Sequence, residues 1–392
     1  MGKKRVVRKT KKKEQNTRYY DYMLLAVVIF LLCFGLVMLY STTAYTAQIE
    51  EGDSMWYFKR QAFFSAISVV VMIAVSKIDY HYYVKLSKFA YWFAFALMAL
   101  VLTPLGLERY GARRWIVVPV VGQMQPAEVM KIAIVLFIPF MICKAGERIN
   151  KVRGWGVILA WGVISFLGVF ILTDNLSTAI IVFGMVCFML FIAHRKTWPF
   201  ILIAAAGVGG AYAFARFLGN MMSTSENFRL RRILVWLHPE NYSDAGGFQV
   251  MQGLYAIGSG GFFGKGLGNS AQKMIIPEVQ NDMILSIICE ELGVCGAIMV
   301  LVLFGMLLYR LMFIARNAPD MYGALLVTGV FAHIAIQVVL NVAVVLNLIP
   351  TTGVTLPFIS YGGSSVAFLL LEIGLALSVS TKIETADKKN VK

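Results

Sequence analysis

Polarity along this chain varies on a long scale: apolar runs of about 17–25 residues, the length that crosses a bilayer as a helix, alternate with short polar stretches. The runs predict ten spans, at 22–42, 58–76, 89–104, 127–143, 154–172, 177–193, 198–216, 283–308, 321–348 and 364–380. Ahead of them lies a basic tail, 1–21, and after them a short tail, 381–392. The fold class expected is an all-α polytopic membrane protein, with residues 22–380 as one membrane domain.

Composition agrees. The 392 residues are 59% hydrophobic and 15% charged, with a mean hydropathy of +0.72, too much apolar surface for one water-soluble core. Orientation follows from the lysines and arginines. An even number of spans puts both termini on one side, and that side holds 24 of the 36 Lys and Arg residues. The positive-inside rule then makes both termini cytoplasmic. A basic tail such as KKRVVRKTKKK beside anionic lipid accounts for much of the net charge of +15, and no nucleic-acid partner is implied.

Several chemistries drop out. The five cysteines fall in or beside spans without a CxxC pair, and the four histidines are scattered singly, so neither a disulfide framework nor a zinc site is expected. Gly264-Lys265 lacks the other glycine and the hydroxyl residue of a P-loop, and GLGNSA (266–271) has no strand before it to make a dinucleotide fingerprint. The first apolar run is too long for a cleavable signal and has no small-residue cleavage site, so it is expected to remain as a span.

Three loops lie on the side opposite the termini: Leu105 to Gln125, about 217–282, and Pro350 to Gly363. The second is the large extracytoplasmic loop, long enough to hold a shaped site. It carries Trp236, Tyr242, Phe248, Tyr255, Phe262 and Phe263, the glycine-rich run GSGGFFGKGLG and the cations Arg229, Arg231, Arg232, Lys265 and Lys273. That set implies an anionic ligand, because arginine forks and glycine-rich backbone both suit phosphate oxygens. The glycines read equally as tight turns at a lipid interface.

The stretch PEVQNDMILSIICEELG (277–293) places four carboxylates around an apolar run, where each buried charge would cost ~2.5–3.5 kcal/mol on insertion scales. Asp282 sits at the junction of loop and span eight, as a base for a membrane-surface substrate or as a plain N-cap. Glu278 reads as solvated or ligand-orienting, and Glu290 and Glu291, about two turns deeper, as held by interhelical partners. QPAEVMK puts Glu128 and Lys131 at i, i+3 as an intramembrane pair, either packing or substrate-binding. TDNLSTA (173–179) reads as a hairpin in which Asp174 or Asn175 caps the next helix. Gln337, Asn341 and Asn347 in span nine read as interhelical hydrogen-bonding groups.

GARRWI (111–116), QPAEVMK (125–131), GFQVMQGLYAIGSGGFFGKGLGNSAQK (247–273), PEVQNDMI (277–284), EELG (290–293) and IPTTGVTLPFISYGGSS (349–365) together resemble the SEDS family, named for shape, elongation, division and sporulation. Order and spacing agree from about Asp21 to Ser380, closer to the division and sporulation branch through GARRWI and ISYGGSS. The family's usual Asp-Phe-Ile-Phe is Asp282-Met283-Ile284-Leu285 here. Its Gln-Pro-Asp-Leu-Gly-Thr is TDNLST here, so the usual acid position holds Asn175.

The resemblance implies a peptidoglycan glycosyltransferase of the bacterial cytoplasmic membrane that polymerises lipid II at its outer face. It also implies a class B penicillin-binding transpeptidase and other divisome proteins as partners. Asp282 is the catalytic residue it implies, with Arg229, Arg232, Lys273, Gln249, Gln252, Lys265, Glu278, Arg113, Ser364 and Ser365 as substrate-binding residues. Since pyrophosphate leaves unaided by a general acid, one carboxylate base suffices, unlike the carboxylate pair of glycosidases. No cofactor is required, while a divalent cation, magnesium or manganese, would suit the leaving group. Two other classes fit the same substrate: a lipid II flippase, using Glu128 and Lys131, and a scaffold that only recruits the transpeptidase.

Overall fold

The computed structural model describes residues 17–109, 112–118, 122–221, 228–242 and 246–385. Among the described residues, ten helices are long and apolar enough to cross a membrane: α1 (Tyr22–Glu50), α2 (Trp56–Lys77), α3 (His81–Ala99), α4 (Pro126–Ala145), α5 (Val152–Thr173), α6 (Leu176–Ala193), α7 (Trp198–Met221), α10 (Ile284–Asn317), α11 (Met321–Val345) and α12 (Gly363–Ser380). Two shorter helices, α8 (Phe228–Leu237) and α9 (Phe248–Gly260), fill the segment between α7 and α10. α1 and α10 run longer than their apolar runs, and α11 stops short of the expected 348, where Asn347 turns at positive φ.

Strand β1 (Thr17–Arg18) pairs antiparallel with β5 (Glu384–Thr385), so the segments just before α1 and just after α12 meet on one face of the bundle. There Asp21 caps α1 by accepting from the Leu24 amide and pairs with Arg310 at 2.7 Å. Asp320 caps α11 and accepts from Tyr80, while Lys382 pairs with Asp79 at 2.6 Å. These contacts lock the terminal face. On the far face, the stretch from Leu105 to Gln125, expected as a loop, holds a three-stranded antiparallel sheet of β2 (Gly106–Arg109), β3 (Ala112–Val118) and β4 (Gly122–Met124).

The core is built where α4, α6, α10, α11 and α12 meet; α4 and α11 are the most buried along their length together with α12. Two non-helical segments enter it from the far face. One precedes α12: Phe358 and Ile359 are buried against α1, where a side chain at Gly35 would meet their backbone at 2.7–2.8 Å. The other follows α9 and fits a break in α10 at Gly293 (φ 69°, ψ −167°). Lys265 and Gly266 amides donate to the carbonyls of Glu290 and Glu291, and the amides of Val294 and Cys295 donate to Gly261 and Phe262. Irregular backbone at membrane depth persists only where protein satisfies it, and here each segment satisfies the other.

Candidate active site

The far ends of α1, α2, α4, α6, α11 and α12, with β3, β4 and the chain from Lys273 to Asp282, enclose a cavity of about 1050 Å³. It is richly polar. Of the residues expected to touch substrate, Asp282, Glu278, Arg232, Lys273, Gln249, Ser364 and Ser365 line it, and so do Glu128 and Lys131.

Asp282 lies two residues before α10. The helix N-cap is Met283, with no side-chain capping bond, so Asp282 is not the cap of this helix. Its backbone carbonyl accepts from Asn341 Nδ2 at 2.8 Å, and the same amide group donates to the Val354 carbonyl at 2.8 Å. Two residues earlier, the carbonyl of Gln280 accepts from the Tyr361 amide at 2.9 Å. α11 and the segment before α12 therefore hold the carboxylate-bearing stretch from two sides. Burial pushes the Asp282 carboxyl above the ordinary carboxylate range; its own backbone and Arg232 oppose the shift, and Glu278 adds to it.

The cations come from different elements. Arg232 projects from α8 and donates to the Thr351 carbonyl at 3.1 Å. Lys273 donates to the Gly268 carbonyl and lies 3.5 Å from Glu291. Glu128 and Lys131, one turn apart at the start of α4, pair at 2.7 Å with side chains 8% and 3% exposed, so the cavity wall holds a near-dehydrated ion pair. Ser364 Oγ contacts the Gln123 carbonyl at 3.5 Å, joining α12 to the sheet. The side chain of Arg229 lies outside the described residues.

Three expected ligands are placed elsewhere. Lys265 pairs with Glu290 at 2.6 Å beneath the α10 break, where Glu290 also accepts from Ser259, Ser270 and the amides of Ala271 and Gln272. Glu291 accepts from Ser41 of α1. Glu291 is thus held by another helix, as expected, whereas most partners of Glu290 come from the irregular segment after α9, and this removes Lys265 from the cavity. The glycine-rich run likewise turns its Lys265 and Gly266 amides to carbonyls of α10 instead of to a phosphate. Gln252, on α9, does not line the cavity. Nor does Arg113: it is exposed and reaches Glu108 at 3.5 Å, while Arg114 lines the wall and donates to the Asp174 carbonyl at 2.9 Å. Adjacent strand residues point to opposite faces, so only one of the pair can serve the site.

Asn175 caps α6 by accepting from the Thr178 amide at 3.0 Å, and both residues line the cavity. Gln337 donates to the Thr355 carbonyl at 3.0 Å. Asn341 acts in the site more directly than interhelical bonding suggests, because it fixes the candidate base. Its signal in sequence, an amide in an apolar span, is shared with Gln337 and says nothing of which loop it grips. Among the described residues, no three His, Cys, Asp or Glu side chains gather as a metal site.

Comparison with known proteins gives this geometry its setting. The chain matches the cell cycle protein family of FtsW, RodA and SpoVE over residues 21–385. It is 38% identical to stage V sporulation protein E of Bacillus subtilis over 364 residues, 92% of this chain and 96% of that one. It is 35% identical to a probable peptidoglycan glycosyltransferase FtsW of Trichlorobacter lovleyi, over 94% of each. A chain of a peptidoglycan synthase complex, described for its coordination of polymerization and crosslinking, superposes with a TM-score of 0.73 at 26% identity, over 92% of this chain and 97% of that chain. RodA of Thermus thermophilus superposes with a TM-score of 0.64 at 25% identity, over 94% and 98%. With ten spans, six motifs in order and relatives matched nearly end to end, this chain belongs to the FtsW/RodA/SpoVE family, the SEDS family that its motifs resemble.

Proposed function

We propose that this protein is a peptidoglycan glycosyltransferase that polymerises lipid II into glycan strands for division or sporulation walls. The cavity face is then the outer face of the cytoplasmic membrane, and both termini are cytoplasmic. The observation that carries the reading is Asp282: a carboxylate in a polar cavity, on backbone held from two sides, with its proton affinity raised by burial. A general base works best when its pKa approaches the working pH, and a positioned base is worth ~10²–10⁴-fold in rate.

Asp282 takes the proton of the acceptor sugar's 4-hydroxyl as that oxygen bonds to the donor's anomeric carbon. The bond from that carbon to the lipid pyrophosphate breaks, and the pyrophosphate carries away the electron pair. Arg232, with Lys273, stabilises the negative charge gathering on the leaving group. Glu128 and Lys131 keep the cavity floor polar at membrane depth, where the phosphate end of a lipid-linked substrate enters. A magnesium or manganese ion bound with the pyrophosphate would take most of its ligands from substrate oxygens, with Glu278 of the cavity wall as a protein carboxylate that could hold it, and would supply charge neutralisation.

The partner in this reading is a class B penicillin-binding transpeptidase, alongside divisome proteins. A flippase would use the same buried ion pair without bond chemistry, and a scaffold would need neither. The test is purified protein with its transpeptidase in detergent, where flipping has no meaning because there are no two compartments. Given lipid II, glycan chains should form; their absence, with both proteins folded and associated, rejects the reading.

A further inference from the structure

At the cavity mouth, three aromatic rings meet where no charge chemistry requires them. Trp56 and Tyr57 open α2, and Tyr361 comes from the segment before α12. The Trp56 and Tyr57 rings stand edge to face with centroids 4.9 Å apart, and Tyr57 meets Tyr361 the same way at 5.2 Å. All three are half-buried and line the cavity. Hydrogen-bonding groups surround them: the Arg60 guanidinium lies 5.2 Å over the Trp56 ring, the Tyr57 hydroxyl donates to Glu50 at 3.1 Å, and Gln61 accepts from the Gly362 amide at 3.3 Å.

We propose that Trp56, Tyr57 and Tyr361 form a sugar-binding ledge that seats a ring of the glycosyl acceptor next to Asp282. A pyranose has an apolar C–H face and a rim of hydroxyls, so it needs rings and hydrogen-bonding groups side by side. A lipid tail needs no such polar rim, and a phosphate needs no rings. The placement suits the acceptor because the Tyr361 amide is bonded to Gln280, two residues from the base. The cations assigned to pyrophosphate come from other elements, α8 and the chain after α9, so the ledge and the phosphate site are separable. Holding the acceptor in a fixed orientation is itself a large part of catalysis in a two-substrate reaction.

The inference rests on the glycosyltransferase reading, and the test separates the two. Binding is measured in an Asp282→Asn background, which stops turnover, with two probes: lipid II and sugar-free undecaprenyl pyrophosphate. Trp56→Ala and Tyr57→Ala should each weaken lipid II binding about tenfold, ~1.4 kcal/mol, and leave the sugar-free probe unchanged. Trp56→Phe should restore most of the loss. In the parent background the same variants should raise KM for lipid II more than they lower kcat. Equal loss of both probes, or undiminished lipid II binding, overturns the ledge; should Trp56→Ala lose both through misfolding, Trp56→Leu, which keeps bulk without a ring, decides by the same criterion. Ledge-dependent binding without any glycan product in the parent sinks the enzyme reading and leaves the ledge standing. Glycan product with ledge-independent binding does the reverse.

Discussion

Asp282 illustrates how one side chain can work against the fold that holds it. Burial raises its pKa in the folded protein, so the folded state binds that proton more tightly than the unfolded chain does. Its contribution to stability is therefore full below the ordinary carboxylate range and is lost as pH rises through the folded pKa. At neutral pH, Asp282→Asn should melt at or above the parent temperature, and the gap should close as pH falls toward the unfolded value. A thermal scan against pH checks this. The same raised pKa predicts an acid limb in the rate profile, set above the usual carboxylate range.

Glu128 and Lys131 make the opposite case, since each is buried against the other at 2.7 Å. Removing either strands a charge and should cost roughly 3–5 kcal/mol, seen as lost expression or melting temperature, whereas replacing both with apolar residues should restore folding. If the double variant also keeps full polymerisation, the pair serves packing alone. Both charges were legible in sequence, because a charge in an apolar run is conspicuous. Their partners were less so. Lys265 looked like a ligand because Glu290 lies 25 residues away, and only the break in α10 brings them together. Glu372, inside span ten, went unread in the sequence, and its partner His333, 2.7 Å away, sits in another helix, so nothing in either segment names the other.

At the scale of elements, the ten spans were readable because bilayer thickness fixes their length, and the errors fall at their ends, where α1 and α10 continue past the apolar run and α11 stops short of it. What periodicity could not show is that the glycine-rich segment plugs a helix. Gly293 occupies a backbone conformation open in practice to glycine, and a Cβ there would stand 2.3 Å from the Phe262 carbonyl oxygen. Gly293→Ala should destabilise by at least about 1–3 kcal/mol from the backbone alone. Since the break also seats Lys265 on Glu290, heating should release the segment after α9 before the rest of the bundle. Hydrogen exchange of residues 261–273 reads that directly; unchanged protection there would contradict the plug. The short sheet escaped notice for a different reason: its strands are only 3 to 7 residues long, too short for alternation to stand out.

For the whole molecule, the two faces are built for different work. The terminal face is tied by ion pairs and by the β1–β5 pairing, while the far face opens into a large polar cavity to which Asp282, six of the expected substrate-binding residues and the α4 ion pair contribute. That gathering was foreseeable only through the motifs' resemblance to a family, because no local pattern places Arg232, Gln249, Asp282 and Ser364 around one space. Charge on this face should act on a phosphate: Arg232→Gln should raise the lipid II concentration needed for half-maximal rate or lower the rate, and the parent's rate should fall as salt screens the cavity mouth.

The role proposed for Asp282, taking the acceptor's proton, is isolated by one substitution. Asparagine keeps the shape and the backbone carbonyl that Asn341 holds, but it cannot accept a proton as a carboxylate does. Purified Asp282→Asn protein, folded and bound to its transpeptidase, should convert lipid II to glycan at least about 10²-fold more slowly than the parent. Glycan formation at close to the parent rate would show that Asp282 is not the base and that the mechanism built around it is wrong.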